Sequence, residues 1–123
     1  MIDKEIKERT LQLIEHGTNY DLEFLDQVYD EELKFIRLDR HAKVEVLSKA
    51  DNMAFFAERK AQQAPALNKE AEFHYADNDG ENAYVILTRK MQQFDVDQSF
   101  LFQIQWKKKQ GDWKIIREVV YLK

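Results

Sequence analysis

The 123-residue sequence predicts an α+β domain in which helices pack against one antiparallel sheet. Three observations carry this. Helical spacing is confined to segments before Pro65, the chain after it alternates with the two-residue period of strands, and Asp79-Gly80 and Gln110-Gly111 cut that second half into hairpins.

Each element has its own signal. Ile2, Ile6, Leu13 and Ile14 recur near helical spacing, and Gly17 is a stop signal. Thr18 and Asp21 have capping-box spacing before a second short helix through Leu22, Leu25, Val28 and Tyr29. The runs LKFIRLD and KVEVLS flank a polar tip at Asp39 to Ala42 and read as two short strands. Ser48 and Asp51 again have cap spacing, before the Ala-rich helix KADNMAFFAERKAQQA that Pro65 follows. Four longer strands come next: two around Asp79-Gly80, then QSFLFQIQWKKK and DWKIIREVVYL around Gln110-Gly111. No repeat, low-complexity tract or linker interrupts the chain, so residues 1–123 read as a single domain.

Composition narrows the function classes. Apolar residues make up 44%, enough for a core, and charged residues 34%, a well-solvated surface. A net charge of −4 argues against a nucleic-acid footprint, and Lys107-Lys108-Lys109 reads as a solvated hairpin tip. With no cysteine there is no disulfide, no thiolate nucleophile and no zinc-finger ligand set. MIDKEIKERT lacks the apolar core of a secretory signal, and no run is long and apolar enough to span a bilayer, so a cytoplasmic protein with no membrane partner is expected. His16, His41 and His74 are scattered, so no metal site is expected, and the three glycines leave no room for a phosphate loop. No cofactor is expected.

Turn positions set register, and register sets which side chains share a face. A two-residue turn at Asp79-Gly80, a turn centred on Val96 and a two-residue turn at Gln110-Gly111 put Phe73, Tyr75, Tyr84, Ile86, Phe100, Phe102, Trp106, Trp113, Ile115, Val119 and Tyr121 on one face. Arg117 falls on that face in a row with Ala71, Thr88 and Ile104. Small neighbours around a long cation, under helices, describe a pocket. The opposite face receives Val85, Leu87, Met91, Leu101, Ile116, Val120 and Leu122, crossed by a polar row of Glu70, Arg89, Gln103 and Glu118. A face this apolar is expected to pack on a second copy, as a two-fold homodimer with Glu70, Arg89, Leu101, Gln103, Glu118 and Val120 in its interface.

The runs VYDEELKFIRLD and KVEVLSKADNMAFF, the hairpin HYADNDGENAYVILTRKM and the ending GDWKIIREVVYL resemble, over essentially the whole chain, the nuclear transport factor 2-like superfamily. Within it the SnoaL-like and ketosteroid-isomerase-like relatives are most similar. The resemblance implies a cone-shaped curved antiparallel sheet wrapped around the N-terminal and central helices, with a pocket between helices and sheet. It also implies frequent homodimers through the outer sheet face. Members include isomerases, dehydratases, cyclases, hydrolases and non-catalytic proteins, so fold does not decide function.

Two functional readings follow. The residues favour a non-catalytic dimeric module binding a small apolar or aromatic molecule, with Arg117 pairing an acidic or carbonyl group on it and Thr88, Tyr29, Phe56, Tyr75, Phe102 and Trp106 lining the pocket. The alternative is a cofactor-independent acid–base enzyme of the isomerase, dehydratase or cyclase type, in which Tyr29, Asp30 or Tyr75 moves protons. Tyr29 and Asp30 are candidates because the resemblance places pocket or catalytic residues after the second helix. A carboxylate or imidazole reaching the same cavity as Arg117 separates the two readings.

Overall fold

The computed structural model describes residues 1–93 and 96–122. Each helix starts at a side-chain cap. In α1 (Lys4–Thr18) the carboxylate of Asp3 accepts from the Ile6 backbone N–H at 2.9 Å, and Ile6, Thr10, Leu13 and Ile14 form the buried stripe. Asp21, rather than Thr18, caps α2 (Leu22–Val28) by accepting from the Phe24 N–H, and Gly17 stays inside α1. The expected cap at Ser48 and Asp51 forms in both directions and starts α3 (Lys49–Ala61).

Six strands make one sheet: β1 (Tyr29–Leu38), β2 (Val44–Ser48), β3 (Ala71–Asn78), β4 (Asn82–Gln93), β5 (Val96–Lys109) and β6 (Asp112–Leu122), in spatial order β2-β1-β6-β5-β4-β3. The sheet is curved and does not close, which is the α+β architecture read from the sequence. One pairing departs from the antiparallel expectation: β1 runs parallel to β6. A connection through β2, α3 and three further strands separates the two in sequence, so nothing obliges them to run opposite ways.

Register departs further. The Asp79 turn is wider than two residues: Asp79 N–H donates to the Asn82 carbonyl, its carboxylate accepts from the Glu81 and Asn82 N–H groups, and Asn78 pairs with Ala83 instead of Glu81. Between β4 and β5, Gln93 pairs with Val96, so Ile86 meets Gln103 and Ala83 meets Trp106. Val96, expected at the centre of this turn, begins β5 instead, and residues 94 and 95 lie outside the described residues. At Gln110-Gly111 the two-residue turn forms as expected, with φ of 53° and 83° and Lys109 opposite Asp112. Trp106 meets Ile115 as expected, but Ile116 then bulges, and Arg117 falls opposite Gln105 with Glu118 opposite Ile104. A second bulge, at His74, shifts β3 between Phe73 and Tyr75.

Because side chains alternate strictly, each one-residue shift turns a whole strand segment over. Val85 and Leu87, expected outside, are among the most buried residues, while Tyr84, Ile86, Thr88 and Tyr75 take the outer face. On β6 the exchange begins at the bulge: Glu118 and Val120 turn inward, Arg117, Val119 and Tyr121 outward. The helices thus cover Ile104, Trp106, Phe102, Val85, Leu87, Ile115 and Val120, with Phe24, Met53 and Phe56 packed against them. Met91 and Leu122, expected on the outer face, have side chains outside the described residues.

Candidate functional site

The inner face carries more polar chemistry than a core needs. Glu118 is 5% exposed, and its Oε1 has no hydrogen-bond partner among the described residues. Taking a carboxylate out of water disfavours its charge, and burial raises the Glu118 pKa to about 7, against a smaller opposing pull from Arg89. Two register rows away, next on the same face, Trp106 lies opposite Ile115, which in turn pairs with Tyr29 on β1. The Trp106 indole N–H, buried, also has no partner among the described residues. On α3, Asn52 shares a helix face with Phe56 four residues on, and its buried Nδ2 is the third polar group without a partner among the described residues.

Tyr29 ends α2 and begins β1, so helix and strand fix its direction together. Burial, and then the negative charge of Glu118, raises its pKa well above the ordinary tyrosine value. Arg89 faces inward from β4, where its guanidinium donates to the Asn68 carbonyl at 2.7 Å and the Glu70 carbonyl at 3.3 Å and lies over the Phe102 ring. Burial lowers its pKa, and Glu118 opposes that. Arg89 and Glu118 thus share the inner face rather than the outer one, and they influence each other electrostatically with no hydrogen bond or ion pair between them among the described residues. Glu70 meets Arg89 through its backbone carbonyl rather than its carboxylate.

The structure divides the residues singled out from the sequence. Tyr29, Phe102 and Trp106 are buried on the inner side, and Phe56 packs against the core from α3. Arg117, expected in the pocket, is exposed on the outer face. Thr88 is buried but outward, with its hydroxyl 2.7 Å from the His74 imidazole, and Tyr75 is exposed, donating to Asp77. Of the six expected dimer-face residues, Arg89, Glu118 and Val120 lie on the inner face, Leu101 and Gln103 outside, and Glu70 exposed ahead of β3. Asp30 is buried but held by the Lys109 ammonium at 2.8 Å; that pairing and the Glu32 N–H keep its pKa below the usual value although burial, the largest influence, raises it. Asn52 escaped sequence reasoning. Its one signal was a polar residue four positions before Phe56, at helical spacing.

On the outer side, a groove of about 880 Å³ runs beside the β6 bulge and includes Asp30, Lys34, Val46, Lys107, Ile116 and Arg117. A second depression of about 520 Å³ shares Gln105 and Ile116 with it and is also lined by Trp106. Among the described residues no group of three or more His, Cys, Asp or Glu could hold a metal, and no helix is long and apolar enough to cross a membrane.

No family model matches the sequence, and no curated protein matches it significantly. Solved structures do. An NTF-2 like protein of unknown function from Silicibacter pomeroyi superposes with a TM-score of 0.75 at 12% identity, over 96% of this chain and 92% of that one. An NTF2-like protein from Cytophaga hutchinsonii gives 0.75 at 17%, over 99% of this chain and 100% of that one. The fold is NTF2-like. A de novo designed protein with a curved β-sheet also shares it, with a TM-score of 0.61 at 14% identity over 96% of this chain and 98% of that one. An NTF2-like scaffold is thus a geometry that sequences this different can reach, and its chemistry must be read from the side chains on its inner and outer faces.

Proposed function

We propose that this NTF2-like chain is a small-molecule-binding domain whose ligand is held between the helices and the inner sheet face, against Glu118, Trp106 and Asn52. One observation carries the reading: three buried polar atoms, Trp106 Nε1, Asn52 Nδ2 and Glu118 Oε1, have no partner among the described residues. Folded proteins rarely leave such groups unpaired, because each forfeits its hydrogen bonds to water. Two donors and a carboxyl suit a ligand with one carbonyl or hydroxyl on an apolar or aromatic body. Its oxygen would accept from the indole and amide N–H groups, and Phe102, Phe56 and Tyr29 would surround the body.

The test is a titration with small aromatic ketones and alcohols, followed by the indole N–H resonances of Trp106 and Trp113, assigned with Trp113→Phe. Saturable movement of the Trp106 indole, weakened by Asn52→Ala, supports the reading. An indole that stays still across the whole panel overturns it.

The Glu118 carboxyl favours a second reading, proton transfer on the bound ligand. A carboxyl titrating near 7 gives and takes protons readily at neutral pH, and Tyr29 lies within its electrostatic reach. Turnover abolished by Glu118→Gln with ligand affinity retained marks an enzyme; binding without turnover marks the module.

The outer face supports a homodimer. Next to the groove, Ile36, Val119 and Ile86 fall in one register row and Tyr121 and Leu101 in the next, half-exposed or exposed. Gln103 lies between Val119 and Ile86 in that row, so the belt is apolar around one amide, and such a face can meet its copy about a two-fold axis.

A further inference from the structure

We propose that the outer groove at the β6 bulge is a second ligand site, for a small molecule with an oxyanion head, carboxylate or phosphate, on a short apolar body. It is separate from the interior site and does not depend on it.

Register supplies the first argument. Lys34 on β1 lies directly opposite Arg117 on β6, which lies opposite Gln105 on β5. Lys107, two residues beyond Gln105 on the same face, is opposite Lys114. Like charges placed directly across a ladder repel. Lys114 turns its ammonium to the Gln27 carbonyl, which leaves Lys34 and Arg117 as such a pair with Lys107 beside them, in a chain whose net charge is −4. An anion seated among them turns that repulsion into attraction, and the Arg117 fork can bind either kind of head with two parallel hydrogen bonds.

The neighbouring carboxylates do not perform this role. Asp30 is held by Lys109 at 2.8 Å, and Asp51 accepts from the Ser48 N–H at 2.9 Å as part of the α3 cap. Glu32 is the third acid in the groove, whose lining carries four cations, Lys109 included. Lys34, Lys107 and Arg117 take part in no ion pair or side-chain hydrogen bond among the described residues. Val46, Leu47 and Ile116 supply an apolar wall beside them. The bulge creates the arrangement: with unbroken alternation from Ile115, Ile116 would stand opposite Gln105 and Arg117 opposite Ile104, on the buried face.

Titration of the full chain with phenyl phosphate and, separately, benzoate at low ionic strength tests this, read by backbone amide resonances. Saturable shifts at Lys34, Gln105 and Arg117, absent with benzyl alcohol, are expected, and the tighter of the two anions identifies the head group. Lys34→Gln combined with Arg117→Gln should weaken binding by about tenfold or more, the worth of one charge-assisted contact. Lys107→Gln alone should weaken it several-fold, an independent check on an exposed side chain. Shifts centred instead on the Trp106 indole, equal binding of benzyl alcohol, or affinity unchanged in the variants would overturn the proposal.

Discussion

Glu118 stands opposite Ile104 across the β5–β6 ladder, on the face the helices bury, where unbroken alternation would have put Arg117. The exchange has a measurable thermodynamic consequence. The Glu118 carboxyl is raised from 4.5 to about 7, so between those values the folded protein keeps a proton that the unfolded chain has released. Stability contributed by this group is therefore complete below pH 4.5 and lost as pH rises to about 7, up to about 3 kcal/mol. Glu118→Gln should remove that fall. The difference in urea-unfolding free energy between variant and wild type should grow from pH 4.5 to 7 and then level off. A difference that stays flat over this range would mean the carboxyl is not buried as described.

Register can be tested without any titration. Leu87 is 1% exposed and packed in the core, whereas its neighbour Ile86 faces out and is half-buried. Leu87→Ala should destabilise by about 2–5 kcal/mol and Ile86→Ala by about 1 kcal/mol or less. Equal losses, or the reverse order, would restore the face assignment that the sequence alone suggests.

What the sequence made legible, and what it hid, follows from how locally each feature is encoded. The cap at Ser48 and Asp51, the helical stripe of Ile6, Leu13 and Ile14, and the Gln110-Gly111 turn depend on residues within a few positions of one another, and all three formed. The bulges at His74 and Ile116 carry no glycine or proline to mark them; they reflect curvature of the whole sheet and surface only when three strands are paired at once. Each shifts alternation by one, and the shift at Ile116 exchanges the faces of Arg117 and Glu118. The candidate site was legible in its residue types, an inward charge among aromatics, but not in the identity of that charge.

The junction of α2, α3 and β1 depends on one cation. Lys49 is mostly buried at the start of α3; its ammonium donates to the Asp26 carbonyl at 2.7 Å and to the Glu31 carboxylate at 2.9 Å. Lys49→Met keeps the packing of the stem but leaves the Asp26 carbonyl without its donor, and should destabilise by about 1–3 kcal/mol in urea unfolding. Glu31→Gln, at the exposed end of the same contact, should change stability by less than about 1 kcal/mol.

The belt of Ile36, Ile86, Leu101, Val119 and Tyr121 bears on assembly. Leu101 lies between Thr88 and Tyr121 in register, near the middle of the outer face, and is only half-buried in the single chain. A carboxylate there would be buried unpaired in a two-fold interface and would face its copy across the axis, two terms that both oppose association. It would remain solvated in a monomer and leave the fold intact. Leu101→Glu is therefore expected to sediment as a monomer at micromolar concentration, with a circular dichroism spectrum close to that of the wild type, while the wild type sediments as a dimer. Lys34→Gln, beside the belt rather than in it, should leave the dimer unchanged. A wild type already monomeric under these conditions would remove the interface and leave the belt without an occupant.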